Sequence, residues 1–366
     1  LKFVDKAVPQ ITCVDDFTIS ANNNDCTADA LIPAILASDN CGNTSECSFD
    51  FDVVDDISPV AVCDQHTTVS LSFDETVYVN AETGNITEQF TGMAHALDRV
   101  LYQVNTSNVV WEAGDAFPGA LNIWQQNEVV ASEHVYNFFD NAFGYVSYDD
   151  ADAQMRTINE NPAIDCPNAN WNGVTANYCD GTATDDVIAH EWGHAYTEYT
   201  SGLIYAYQSG ALNESFSDVW GETIDLLNNY QDADDDHSLR TPGCNSSDRW
   251  RMGEDASYFS APIRDLWDPT CNGHPGKVTD GVYRCSDADG GGVHSNSGVP
   301  NHAYALVVDG GNYNGQSISG IGLTKAAHIF WRAQSEYLTA TSDFEDLANA
   351  LEASAIDLTG VNLEGL

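Results

Sequence analysis

Basic side chains are scarce in this chain: 12 lysines and arginines stand against 56 aspartates and glutamates, a formal net charge of -44 over 366 residues. So acidic a surface repels a phosphate backbone, which excludes nucleic acid as a partner. Long apolar runs are also missing. Although 43% of the residues are apolar, none of the runs approaches the roughly 18 uninterrupted apolar residues of a membrane span, so a soluble protein is expected. No Cys-x-x-Cys pair occurs, which leaves a cysteine-held zinc without support. The opening LKFVDKAVPQ lacks the apolar core of a signal peptide and reads as a processed or truncated start.

Cysteine itself is plentiful. Ten cysteines lie scattered among Asn-, Asp- and Gly-rich loops, a usage that points to disulfides and a secreted, extracellular setting. The acidic excess suits calcium, whose ligands are hard carboxylate oxygens, although most of these carboxylates are expected to be solvated surface.

Residues 1–60 alternate short strand-like segments such as FDFDVV with turn clusters such as ASDNCGNTS, and read as a small disulfide-stapled β module. Residues 61–90 are either a linker or the start of a second module. From Arg99 the texture changes: RVLYQVN reads as a strand, FPGALN as a turn and SEHVYNFFDNAFGYV as an amphipathic helix. Residues 91–366 then form one two-lobed domain, divided at about residue 200.

The chemistry is concentrated in DDVIAHEWGHAYTEYT. Its two histidines, His190 and His194, are four apart, so both imidazoles leave one face of a helix and reach one ion. Glu191 points beside that face, where it touches a water without taking a coordination position. A second helix, SGALNESFSDVWGETIDLL, offers Glu214 as a third ligand. Three protein ligands plus water make the open tetrahedron of a catalytic zinc rather than a structural one. Asp218, one turn beyond Glu214, is placed to accept the free N–H of a ligating histidine, and Asp225 continues the stripe.

The stretch VIAHEWGHAYTEYTSGLIYAYQSGALNESFSD resembles the zinc-binding region of the thermolysin family. The likeness extends from about Arg99 to the C-terminus through PNANWNG, IRDLWDP and DGGGVHSNSG. It implies an α+β fold, a two-lobed thermolysin-like zincin with a β-rich N-terminal lobe and a mainly helical C-terminal lobe. It also implies an endopeptidase that uses zinc-activated water, with Glu191 as general base. By the same resemblance His294, oriented by Asp289, and Tyr205 stabilise the oxyanion, and Arg264 binds the substrate carbonyl beyond the cleavage point. Asn168 and Ala169 hold the extended peptide along a strand edge, while Val187, Met252 and Ile263 wall a pocket for an apolar side chain just after the scissile bond. Asp186, Asp225 and Glu254 match calcium ligands, and Asp248 is expected to add a fourth. Arg251 stands where the family often has another acid, so a single calcium ion is expected.

The phrases DNCGNTSECSFDFDVVDD and SPVAVCDQHTTVSLS resemble HYR-type, immunoglobulin-like modules of extracellular proteins, which implies an extracellular partner for the β module. Cys166 and Cys179 bracket the substrate-edge segment and are candidates to pair. Cys244, Cys271 and Cys285 sit in insertions expected to be stapled, and an odd cysteine on each side leads us to expect one bridge from module to enzyme. Protein and peptide substrates, zinc and calcium complete the expectation. The rival reading is an inert extracellular adhesive or structural protein carrying a peptidase-like domain.

Overall fold

The computed structural model describes residues 97–228, 230–231 and 235–363, and before them only the backbone of six short strands. The chain divides into two compact units, Leu1–His95 and Ala96–Leu366. In the first, β1 (Gln10–Thr12) pairs with β2 (Leu36–Ser38), β3 (Cys47–Phe51) with β4 (Thr67–Leu71), and β5 (Glu75–Val79) with β6 (Ile86–Thr91), all antiparallel. The immunoglobulin-like reading of this region and its five cysteines otherwise fall outside the described residues.

The second unit opens with a mixed five-stranded sheet, in the order β10-β11-β9-β7-β8. Its central strands are β7 (Arg99–Gln103) and β9 (Met155–Asn159), which run parallel. Antiparallel pairing adds β8 (Val109–Glu112) to β7. On the other side β11 (Ala176–Tyr178) runs parallel to β9, and β10 (Ala169–Trp171) closes the sheet antiparallel to β11.

Helix α1 (Ile123–Phe143) makes the crossover from β8 to β9. Its amphipathic pattern is plainest over 132–143, yet the helix begins nine residues earlier. Asn122 and Gln125 form a reciprocal capping box that satisfies the first free N–H groups. Gly144, at φ 65°, ends the helix in the left-handed conformation that glycine adopts without strain.

The helical lobe follows the long pair α2 (Asp185–Tyr199) and α3 (Tyr207–Asn228). The two-stranded ladder β12 (Arg251–Met252) with β13 (Arg264–Asp265) lies between α3 and the later helices, and a second, β14 (Gly311–Tyr313) with β15 (Gln316–Ile318), lies among them. The later helices are α4 (Asp289–Asn296), α5 (Gly298–Asp309), α6 (Leu323–Arg332) and α7 (Phe344–Asp357).

An aromatic core joins the helices. Phe139 of α1 stacks on Tyr196 of α2 at 3.6 Å between ring centroids, and Phe143 stacks on Trp331 of α6 at 4.9 Å. Trp220 of α3 packs edge-on against Phe139. Its buried indole N–H donates to Gln334, whose amide in turn donates to Thr197. Large aromatic areas removed from water, with their polar tips satisfied, hold α2 and α3 rigidly side by side. The expected α+β, two-lobed architecture is what is observed.

Candidate metal centre and active site

His190 and His194 present one edge of α2 to α3, where Glu214 stands. Their Nε2 atoms are 3.1 Å apart, and the buried Glu214 carboxylate reaches them at 3.7 and 3.4 Å. Each ring's other nitrogen is engaged, His190 Nδ1 with Asp218 Oδ1 at 2.8 Å and His194 Nδ1 with Asn213 Oδ1 at 2.6 Å. The Asn213 amide donates its NH2 to the Leu203 carbonyl, which fixes its oxygen toward the histidine. Both Nδ1 partners are therefore acceptors, so each Nδ1 carries the proton and each Nε2 turns a lone pair inward.

Two lone pairs and a carboxylate facing one another are repulsive unless a cation lies among them. Their spacing matches the edges, about 3.4 Å, of a tetrahedron built on Zn–N bonds of about 2.0–2.1 Å. One oxygen of Glu214 is buried without a hydrogen-bond partner. The donor set thus fits zinc.

Electrostatics keep His194 and Glu214 in their ligating forms. Burial depresses His194 to about 4 and so holds it neutral. Burial alone would raise Glu214, but His194, His294, His190 and Arg264 override it and hold the carboxylate at about 2. For His190 the cost of burial is outweighed by its bond to Asp218, which raises its basicity.

Asp218 is itself fully buried. It takes the Nε and Nη2 of Arg264 at 2.8 and 2.7 Å on one oxygen, and the Asn301 amide at 2.7 Å on the other. Arg264 lies on β13 and also comes within 3.4 Å of His190 Nδ1. Asn301 was not singled out from the sequence. It lies on α5, 83 residues from Asp218, and nothing in local spacing announces it.

Glu191 is buried beside the two histidines, with one carboxylate oxygen within 4.8 Å of a ring nitrogen of each. Burial pushes its carboxyl up to about 7, moderated by His190, Arg264 and a backbone hydrogen bond from Trp171. Trp171 ends β10, so the candidate base is tied to the sheet's outer strand.

Opposite stand Tyr205 and His294. The Tyr205 hydroxyl donates to Glu214 Oε1 and lies 3.0 Å from His294 Nε2, which is 3.4 Å from the same carboxylate. Burial and the Glu214 charge raise the tyrosine's pKa and keep it a donor. Asp289 accepts from His294 twice, from Nδ1 at 2.6 Å and from the backbone N–H at 3.1 Å.

The sequence suggests a flexible glycine loop here; the structure winds it into a left-handed turn that leads into the remainder of α4. Gly290, Gly291 and Gly292 have φ of 58°, 98° and 77°, values that a side chain resists. Asn296 then clamps the turn, accepting from the Arg284 N–H and donating to the carbonyls of Arg284 and Gly291.

The outer strand carries the candidate peptide-binding residues. Asn168 is exposed just before β10, and its carbonyl accepts from Cys179 N–H and Thr182 Oγ. Ala169 pairs with Tyr178 on the inner side, so the other side of β10 is a sheet edge. A Cys166–Cys179 disulfide staples this segment, and a second links Cys244 to Cys271. Cys285, expected in a stapled loop, is an exposed thiol. Val187 and Met252 are fully buried and Ile263 half-buried, with the Ile263 N–H donating to the Met252 carbonyl.

Of the expected calcium ligands, Asp186 and Glu254 come together, with one oxygen of each within 4.8 Å, and the third member of the cluster is Glu222. Asp225 is buried on α3 and its charge acts on Glu254. Asp248 is not part of the cluster. Arg251 takes its Oδ1 at 2.7 Å and the Asp236 N–H its Oδ2 at 3.1 Å, so the residue that replaces a family acid also occupies the expected fourth ligand. Glu222 escaped notice, although the four-residue step 214, 218, 222 along α3 was the available signal.

Two family models match the chain: the thermolysin metallopeptidase catalytic domain over residues 60–198 and the thermolysin metallopeptidase α-helical domain over 201–364. The first begins ahead of the texture change at Arg99. A zinc metalloproteinase of Renibacterium salmoninarum is 39% identical over 213 residues, covering 55% of this chain and 35% of that protein. Bacillolysin of Brevibacillus brevis is 35% identical over 268 residues, covering 68% and 46%. The chain thus spans less than half the length of these relatives. Among solved structures, the precursor of protealysin, a metalloproteinase from Serratia proteamaculans, superposes with a TM-score of 0.57 at 25% identity, covering 71% of this chain and 82% of that one. No helix among the described residues is long and apolar enough to cross a membrane.

Proposed function

Because the chain belongs to the thermolysin metallopeptidase family, we propose that it is a secreted zinc endopeptidase cleaving internal bonds of extracellular proteins before apolar residues. The observation that carries this reading is the convergence of His190 Nε2, His194 Nε2 and Glu214, with both Nδ1 atoms engaged elsewhere and Glu191 alongside.

Zinc and calcium are the cofactors of the family. Zinc held by His190, His194 and Glu214 supplies a Lewis acid that polarises a carbonyl and lowers the pKa of water. In this reading Glu191 takes the proton from the attacking water and hands it to the departing amine. A carboxyl near 7 is suited to both transfers at neutral pH. Tyr205 and His294, 3.0 Å apart, donate to the oxygen on which charge develops. With Nδ1–H committed to Asp289, donation from His294 is made from Nε2 and requires a proton there as well.

Arg264 gives Nε and Nη2 to Asp218, which leaves Nη1 for the substrate carbonyl. Asn168 and Ala169 offer a sheet edge to an extended peptide. Val187, Met252 and Ile263 form the apolar wall that sets the preference beyond the scissile bond. Calcium is assigned to Asp186, Glu254 and Asp225 at the outer end of α2.

The test is metal content together with cleavage of an internally quenched peptide blocked at both termini. Zinc at one equivalent with internal cleavage is expected. Glu191→Gln should keep its zinc and lose turnover on the order of 10²–10⁴-fold. A variant retaining more than about a tenth of the activity would remove Glu191 from its role, since general acid–base terms exceed that. A zinc-loaded chain that leaves the peptide intact would favour the adhesive reading instead.

A further inference from the structure

Asp186, Glu222 and Glu254 meet at the first turn of α2, one oxygen of each within 4.8 Å of the others. They differ in what else they touch. Asp186 is bonded on both oxygens, to Thr184 Oγ and Val187 N–H on one and to Gly253 N–H on the other. Glu222 is 1% exposed, and neither of its carboxylate oxygens has a hydrogen-bond partner. Glu254 likewise leaves Oε2 buried and unpartnered.

The guanidinium groups near this point are committed elsewhere: Arg249 to Asp309, Arg251 to Asp248, Arg264 to Asp218 and Arg240 to Asp265. A buried carboxylate without a partner is strongly unfavourable, so Glu222 needs either a proton or a cation.

The backbone is built to bring Glu222 there. At the preceding Gly221 a Cβ would lie 2.8 Å from the Asp186 carbonyl oxygen and 2.7 Å from Met252 Cε. Only a bare Cα lets α3 close on α2 at this height and deliver the next side chain to Asp186.

We infer that Glu222 is a direct ligand of the calcium ion, replacing the loop acid expected at 248 and joining α3 to α2 and to the loop at 253–254. Position 222 is outside the ligand set that the family resemblance implies. Three converging carboxylates with oxygen-only donors suit Ca²⁺, whose affinity rises with ligand charge. The inference rests on the metallopeptidase reading above only in taking calcium as the ion.

The experiment uses the zinc-loaded chain, treated with a calcium-selective chelator and titrated with calcium while heat of binding and melting temperature are followed. Wild type should bind calcium and gain melting temperature. Glu222→Gln should weaken binding at least about tenfold, the scale on which ligand charge tunes such sites, while Asp248→Asn should titrate as wild type. Without calcium the order should invert, Glu222→Gln melting above wild type because a buried unpaired carboxylate has been removed. A merely packing role for Glu222 predicts no such crossover. Calcium binding by Glu222→Gln equal to that of wild type would overturn the assignment, and so would a wild type indifferent to calcium, which would mean that the carboxylates share protons. Zinc content and peptide cleavage, measured at saturating calcium, separate the two readings: a calcium response that depends on Glu222 in a chain without peptidase activity upholds this inference and sinks the other.

Discussion

Glu128, inside α1, illustrates how a single buried side chain links stability to pH. It is 1% exposed, its Oε1 accepts from Asn159 at 2.9 Å, and its Oε2 has no partner. Burial, with Asp180 and Glu160 nearby, pushes its carboxyl well above the usual range. An acid whose folded pKa is raised costs stability increasingly as pH climbs from its unfolded value, about 4.3, toward its folded one. Glu128→Gln keeps the acceptor for Asn159 and should therefore melt higher than wild type at neutral pH. The advantage should vanish near pH 4, and identical neutral melting temperatures would disprove it. His294 is the residue-scale counterpart in the cleft. It lies 3.4 Å from Glu214 and beside Tyr205, and the role proposed for it is that of a donor to developing charge. His294→Ala should lower kcat on the order of 10²–10³-fold with KM little changed. Zinc content should be unchanged, and loss of the metal would reassign the residue as a ligand.

At the scale of elements, α4 decides where His294 points. Gly292 has φ 77°, and a Cβ there would meet Arg284 Cβ at 2.3 Å. Gly292→Ala should cost about 1–3 kcal/mol, the range for forced backbone strain. It should also lower kcat by shifting α4, while α2 and α3 retain zinc. Thermal unfolding, metal content and kinetics on one preparation check this, and an unaltered kcat would show that α4 does not set the histidine. Much of this level was legible beforehand. The strand at 99, the turn at 117–122 and the α2–α3 pair follow from periodicity and spacing. The left-handed turn at 289–292 that opens α4 was not legible, because a run of three glycines favours no single conformation and is held in this one by Asn296 and the packing of Tyr207.

At the scale of the whole molecule, metal binding and stability should separate. Calcium held by Asp186, Glu222 and Glu254, as inferred above, would join α2, α3 and the loop at 253–254 outside the proposed zinc ligands, and an ion bound only by the folded state stabilises it by mass action. A calcium-selective chelator should therefore lower the melting temperature while zinc stays bound. A melting temperature unmoved by the chelator would remove calcium from the assignment.

The sequence alone determined the pairs that sit within one helix. His190 with His194, Glu191 beside them and Asp218 after Glu214 are consequences of 3.6 residues per turn, which no tertiary contact has to supply. Its charge, its lack of apolar runs and its helix spacing likewise needed no fold. Tertiary structure decided what crosses between elements: Asn301 on Asp218 from 83 residues away, and Glu222 reaching Asp186 over a glycine. Local periodicity fixes which way a side chain leaves its helix. Which partner waits there depends on how closely two backbones approach, and that is set by the packed aromatic core and by the bare Cα of Gly221.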